Sequence, residues 1–229
     1  MKKKNKKIKY PDEFYLDDCP ICRGMKKAHE SGKSLSLAKT KRLFEKVKKK
    51  SKDDMYYDAM EYLEEGRRGA KTAEKLLFNA LKIDKHYAQT YIGLAHVYGV
   101  SGDKKKAREA IIKAYEETLR KFSKWPKELF WGYLENKAYL RALQYRADLF
   151  WSDGENDKAI KLFKLLLRLN PNDNQGARYE ISALYAGISG DKLNEMFHEG
   201  NEKQNWDKLH KLVSNQNKKH NFWKEPKYN

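Results

Sequence analysis

Cys19 and Cys22, in the run Asp17-Asp18-Cys19-Pro20-Ile21-Cys22, are the residues whose type and spacing point most directly to chemistry. Two thiolates three positions apart can bite one tetrahedral zinc ion, but a structural site needs four ligands. The chain has only 2 Cys, so no second pair exists to complete it. His29 would sit about 10 Å further along a continuous helix. Asp17, Asp18 or a second copy of the chain would have to supply the rest. A cysteine at a helix start also suits redox work, yet no βαβ pattern surrounds this one. The plainer reading is two small apolar side chains packed in a helical hairpin. The expectation is no cofactor, with zinc on Cys19 and Cys22 as the alternative.

The rest of the chain shows little that reads as catalysis. The 6 His are scattered at positions 29, 86, 96, 198, 210 and 220, and no two stand one helical turn apart as a metal-binding pair would. We find no Gly-rich phosphate loop, nucleophile elbow or paired acids in a defined context. The chain is therefore read as a binding protein and not an enzyme.

The elements that would position any site are helical. Tyr87 to Thr118 reads as two amphipathic helices joined by Ser101-Gly102-Asp103. Tyr91, Leu94, Ala95 and Tyr98 recur at the spacing that stacks side chains on one helix face. Gly102 supplies the left-handed residue a helix end favours, and Asp103 an acceptor for the free N–H groups of the next helix. That helix carries Ala107, Ala110, Ile111 and Ala114, small enough to let two backbones approach. Ala73 to Ala107 and Ala80 to Ala114 are each separated by 34 residues. This period and this order of aromatic, Leu-Ala, Tyr, Ala and Ala resemble the tetratricopeptide repeat, a 34-residue helix–turn–helix unit.

The resemblance covers about residues 54–190 and implies an all-α fold, a short right-handed solenoid of such pairs. Residues 54–87 form a first copy and 140–173 a third, in which Leu143, Ala147, Phe150, Ala159, Leu162, Phe163, Leu166 and Leu167 take the repeat positions. Between the second and third copies lies an insertion, residues 122–139. It is read as a lengthened second helix, a break at Ser123–Pro126 where Pro126 starts a fresh helix, and extra turns on the helix that follows. Its Trp125, Phe130, Trp131 and Tyr133 are read as satellite core, with a partner-binding surface as the alternative. A degenerate fourth unit ends at Gly187 and Gly190, after which Asp191 caps a short helix that Gly200 ends. Residues 191–229 add capping helices, with Trp206, Leu209, Leu212 and Val213 inward, and a basic tail. Gly93, Gly99 and Gly176 read as lone helix glycines.

Residues 17–52 are expected to form a helical hairpin with Leu37, Leu43, Phe44 and Val47 inward. Residues 1–16, with six Lys in the first nine positions, are read as a basic flexible tail.

Charge follows the same division. The net charge of +17 splits into +12 for residues 1–52, +1 for 53–201 and +4 for 202–229. The balanced body argues against a nucleic-acid track along its whole surface, and the basic ends suit an acidic partner. No apolar run reaches the roughly 18 residues of a membrane span, and no secretory signal follows the basic N-terminus. A cytoplasmic protein is the default expectation.

In the tetratricopeptide family the first helices of each pair line a concave groove. The resemblance therefore implies a partner groove presenting Asp58, Tyr62, Gln89, Ile92, His96, Val100, Arg141, Gln144, Asp148, Trp151, Arg178, Ser182 and Tyr185. Such a mixture suits an extended or helical peptide. Some members clamp a terminal carboxylate with Lys, Arg and Asn; Arg141 and Arg178 fit that role, but the Lys/Asn pattern is missing from the earlier repeats. The leading expectation is an adaptor that binds a protein or peptide in this groove. The alternatives are an RNA- or ribosome-associated factor using residues 1–52, and a metal-stabilised interaction domain. The partner and the oligomeric state are not legible.

Overall fold

The structure, a computed structural model, describes residues 20–32, 34–48 and 50–226. The described residues form eleven α-helices and no strand, so the expected all-α class holds. The chain divides into two compact units, Met1–Asp54 and Met55–Asn229.

In the first unit α1 (Pro20–Glu30) packs on α2 (Leu37–Lys48). The contact is close at Gly24, where an added Cβ would stand 2.4 Å from a methyl of Leu43. The expected inward set needs correction. Leu37 is 74% exposed and Phe44 51% exposed, while Leu43 is half-buried. Leu37 and Phe44 stand seven residues apart and share one helix face, and Leu43 lies on another. The side chain of Val47 lies outside the described residues.

The second unit holds most of α3 (Lys52–Glu64), then α4 (Arg67–Ile83), α5 (Ala88–Ser101), α6 (Lys104–Lys121), α7 (Leu134–Ser152), α8 (Asn156–Leu169), α9 (Ala177–Tyr185), α10 (Gly190–Lys203) and α11 (Asp207–His220). Sequence neighbours pack: α4 on α5, α5 on α6, α6 on α7, α7 on α8, and α8 on α9. In addition α5 touches α7, and α11 touches α9.

Local chemistry sets the turns. Gly102 closes α5 with φ 82°. Asp103 caps α6, its Oδ1 accepting the Lys106 N–H at 3.0 Å. Gly154 and Gly187 adopt the same left-handed conformation after α7 and α9. Ser189, not Asp191, caps α10, accepting the Lys192 N–H at 3.2 Å. Gly200 does not end α10; it is buried inside it, where a Cβ would meet the Trp206 ring at 2.8 Å. Gly176 is not a helix glycine either, but the left-handed residue before α9.

The insertion departs most from expectation. Residues 122–133 form no helix, and Pro126 begins none. Contacts from α8 hold the segment instead: the Leu129 N–H donates to the Leu169 carbonyl at 2.7 Å, and Arg168 donates to the Pro126 carbonyl at 3.0 Å. Leu129 is buried, and Trp125 and Trp131 pack against the same core. Phe130 and Tyr133, by contrast, are 61% and 63% exposed, not core as expected. The extra turns on α7 do appear, since it starts at Leu134 and runs 19 residues.

The core is built at helix junctions. Ile92, Ala114 and Ala142 meet where α5, α6 and α7 converge, each with no exposed surface. Ala80 and Ala114, the pair set by the 34-residue spacing, are both fully buried. α5 buries more than the one face expected, because Thr90, Ile92, Gly93, Leu94, Ala95 and Val97 are all enclosed. A helix apolar on nearly every side belongs inside a bundle.

Ala114→Leu inserts three carbons into this junction and should destabilise the protein by about 1–3 kcal/mol. Ala107→Leu, at a half-buried site, should cost less; equal shifts of the denaturant midpoint would contradict the packing described. Two glycines give an opposed pair. A Cβ at Gly69 would lie 1.7 Å from the Tyr62 carbonyl oxygen, whereas one at Gly99 meets nothing within 4 Å. Gly69→Ala should therefore lower thermal stability, and Gly99→Ala should raise it by about 0.5–1 kcal/mol through helix propensity.

Candidate functional site

Helices α5, α7 and α9, with Tyr56 of α3, carry a run of polar and aromatic side chains that meet one another. At one end Gln89 hydrogen-bonds the hydroxyl of Tyr56, which is 4% exposed. Next, His96 Nε2 lies 3.0 Å from the Tyr145 hydroxyl. Burial, and then the charge of Arg141, hold the His96 imidazole below its ordinary pKa. It is thus neutral near pH 7, and burial likewise keeps the proton on Tyr145. Arg141 faces the Trp131 ring, 5.6 Å from its centroid. Gln144 is locked to Gln175 by two hydrogen bonds: Gln175 Nε2 donates to Gln144 Oε1 at 2.7 Å, and Gln144 Nε2 donates to the Gln175 carbonyl at 3.2 Å.

Beyond Gln144 the row turns acidic. Asp148 on α7 and Glu180 on α9 line one cavity of about 590 Å³. Its other walls are Trp151 and Ser152 of α7, with Ser189, Gly190, Asp191, Leu193, Asn194 and Phe197 from the start of α10 and the residue before it. Burial pushes the Asp148 carboxyl up to about 7. Burial chiefly, with the charges of Asp148 and Asp173 adding, pushes Glu180 up to about 8. Gln144 also hydrogen-bonds the Glu180 carboxylate. Glu180 Oε2 nevertheless is sealed from solvent and has no hydrogen-bond partner.

Of the groove residues expected from sequence, Gln89, His96, Arg141, Gln144 and Asp148 share the row, and Trp151 walls the cavity while packing on the core. Tyr62 is 41% exposed on α3, and Asp58 is half-buried there. Val100 is half-buried, and its carbonyl accepts from Arg67 Nε at 3.2 Å. Ile92 and Ser182 require correction. Both have no exposed surface, so neither offers a side chain to a partner. Ile92 fills the α5–α6–α7 junction, and the Ser182 hydroxyl donates to the Arg178 carbonyl at 2.7 Å.

Arg178 and Tyr185 are engaged from within. Arg178 donates to Asp173 at 2.7 Å and to the Tyr179 hydroxyl at 3.0 Å, and lies 5.1 Å from the Trp223 ring. Tyr185 is stacked on His220, with ring centroids 3.8 Å apart. The segment after α11 thus folds over the far side of α9. Asn217 fastens it, its Oδ1 accepting the N–H groups of Phe222 and Trp223 at 3.0 Å each, and Trp223 Nε1 donates to the Pro171 carbonyl at 3.1 Å.

Glu180 is the residue missed from sequence. It is the only acid in the α9 segment Ala-Arg-Tyr-Glu-Ile-Ser-Ala-Leu-Tyr, a helix otherwise largely buried. An isolated carboxylate amid apolar residues is the signal that was there to be used.

For the metal alternative, Cys19 lies outside the described residues, and Cys22 is a half-buried free thiol. Among the described residues no three His, Cys, Asp or Glu side chains converge as a metal cage.

The raised carboxyls have a measurable consequence. The folded state keeps the Glu180 proton up to about pH 8, whereas the unfolded chain loses it near 4.5. Between these values the native state binds more protons, so stability declines as pH rises. The slope approaches about 1.4 kcal/mol per pH unit for one fully retained proton. Urea midpoints measured across this range should show the decline, and Glu180→Gln should flatten it. An unchanged slope in that variant would show that the Glu180 carboxyl is not held protonated by burial. No family model, curated protein or solved structure matches the chain.

Proposed function

We propose that this chain is a protein-interaction adaptor of the tetratricopeptide type, a short right-handed solenoid whose first helices α5, α7 and α9 line a groove for a partner segment. The 34-residue spacing of Ala80 and Ala114, both fully buried, supports the repeat. So does the contact of α5 with α7 as well as with α6, since stacked pairs bring successive first helices together.

The observation that carries the groove is the continuous row from Gln89 to Glu180. It joins aromatic, amide and charged groups across three helices and opens into a cavity at its acidic end. Held by neighbours, these side chains present a fixed shape, which lowers the ordering cost of binding. Exposed Phe130 and Tyr133 beside α7 extend the apolar surface available to a partner. We read the site as one for binding and not for catalysis, because its hydrogen-bonded groups are held in pairs and its acids are buried.

The charge of the groove refines the partner. The basic ends favour an acidic surface, but within the row Asp148 and Glu180 stand against Arg141, since Arg178 is already paired with Asp173. Where Asp148 and Glu180 ionise, above about pH 7 to 8, the segment that enters the groove is therefore expected to carry positive charge, whatever the ends attract.

Selection of random displayed peptides on the purified protein tests the reading. Enriched peptides should compete for one site, and at pH 8 Asp148→Asn should weaken them by at least about tenfold, that is about 1.4 kcal/mol. Lys161→Glu, on exposed α8 surface, should leave them unchanged. A selection that returns nothing, or peptides indifferent to Asp148→Asn, would overturn the adaptor.

A further inference from the structure

The segment between α6 and α7 is held firmly and yet turns its largest apolar side chains outward. Its backbone is pinned along its length. Arg168 donates to the Pro126 carbonyl at 3.0 Å, the Leu129 N–H to the Leu169 carbonyl at 2.7 Å, and Asn136 Nδ2 to the Phe130 carbonyl at 3.0 Å. Leu129 is buried and gives the segment its anchor in the core. Phe130, Tyr133 and Leu134 nevertheless stand 61%, 63% and 57% exposed. Left in water, these side chains contribute no burial to the free protein. Apolar patches of this kind, rimmed by polar groups, mark binding surfaces.

Charge decides what fits over them. Residues 121–141 hold 5 Lys and Arg against 2 Asp and Glu, a net of +3, which leaves the remainder of 53–201 at −2. The near balance of the body thus hides a local basic stretch. Lys121, Lys124 and Lys127 are exposed on the approach to the patch. On its other side Lys137 Nζ lies 5.3 Å and Arg141 Cζ 5.6 Å from the centroid of the Trp131 ring. Of the two acids, Glu128 is half-buried with its carboxylate 4.0 Å from Lys127, and Glu135 is exposed. A second copy of the chain would bring the same cations and be repelled. An apolar protein face would cover the rings and leave the cations without counter-charge.

We propose that this segment binds single-stranded nucleic acid, with bases stacked on Phe130 and Tyr133 and phosphates met by Lys121, Lys124 and Lys127. The proposal does not rest on the adaptor reading. A single strand carries flat apolar faces and anions in alternation along one chain, and this surface offers a partner to each. The Phe130 and Tyr133 rings lie 6.4 Å apart and are inclined by 71°, so they do not share one stack and each takes its own base. Every base has a face to stack, so sequence preference is slight. A duplex keeps its phosphates but encloses its base faces, and this surface has little to hold in it.

The test is fluorescence anisotropy of a short labelled oligo-uridylate titrated with the full chain. An abasic strand of equal length and charge serves as the comparison. Residues 1–52 carry +12 and attract any polyanion, so the quantity read is the preference for bases and not affinity alone. The oligo-uridylate should bind at least about fivefold more tightly than the abasic strand. Phe130→Leu, Tyr133→Leu keeps the apolar bulk but removes the flat rings; it should keep its helical circular dichroism and lose that preference. Tyr133→Phe should retain it. Lys124→Gln, Lys127→Gln should reduce the slope of log affinity against log salt by about 1.4, at roughly 0.7 for each phosphate contact to a single strand. Equal binding of the two strands, or a leucine variant that still prefers bases, would overturn the proposal. An unchanged salt slope would do the same for the lysines.

Discussion

The second unit depends on how closely three helices can meet. At the junction of α5, α6 and α7 the contact is made by Ile92, Ala114 and Ala142, one branched side chain set against two methyl groups. Two alanines bring backbones near enough for a single isoleucine to fill the space, and dense interiors leave little slack for anything larger. Gly93 makes the same argument one residue on: a Cβ there would stand 2.9 Å from a Leu77 methyl, so α4 and α5 also meet at minimal distance. With these approaches fixed, α5 and α7 lie side by side, and the groups they carry on one face become neighbours. His96 reaches Tyr145 across that gap only because the helices are this close.

Closeness also explains why the polar row is costly. Side chains on the facing surfaces of tightly packed helices lose water whether or not they find partners. Tyr56 finds Gln89, His96 finds Tyr145, and Gln144 finds Gln175. Asp148 and Glu180 are left as acids with incomplete compensation, and the result is carboxyls held well above their usual range. A fold that needed only stability would put apolar residues there. Strained ionisation next to an open cavity is a pattern associated with sites that meet a ligand.

What the sequence made legible was local. Gly102 and Asp103 announce a helix end and a helix start through their own backbone chemistry, and both act as read. The 34-residue interval picked out Ala80 and Ala114, and both are fully buried. Facing direction was harder. α5 is buried on so many sides that it has no polar stripe from which to judge which side meets solvent, and Ile92 was misplaced for that reason. Ser182 was misplaced because the segment from Asn217 to Trp223 covers the far side of α9, a contact made across a long separation in sequence. The insertion was misread for a related cause: Arg168 and the Leu169 carbonyl hold residues 126–129 in place, so Pro126 is fixed by tertiary bonds and not by its helix-starting tendency.

Two charge scales act on this molecule and need not agree. The excess of lysine near the termini sets a long-range field that draws acidic surfaces, and salt weakens it within about a Debye length. The acids of the α7–α9–α10 cavity act only at contact, where low dielectric strengthens them and solvent no longer screens. A partner with an acidic body and a basic docking segment would satisfy both, gathered by the first and selected by the second. Rejection follows from the same geometry. An acidic side chain entering that cavity would bury a further carboxyl beside Asp148 and Glu180, and the cost of desolvating it there discriminates against acidic segments.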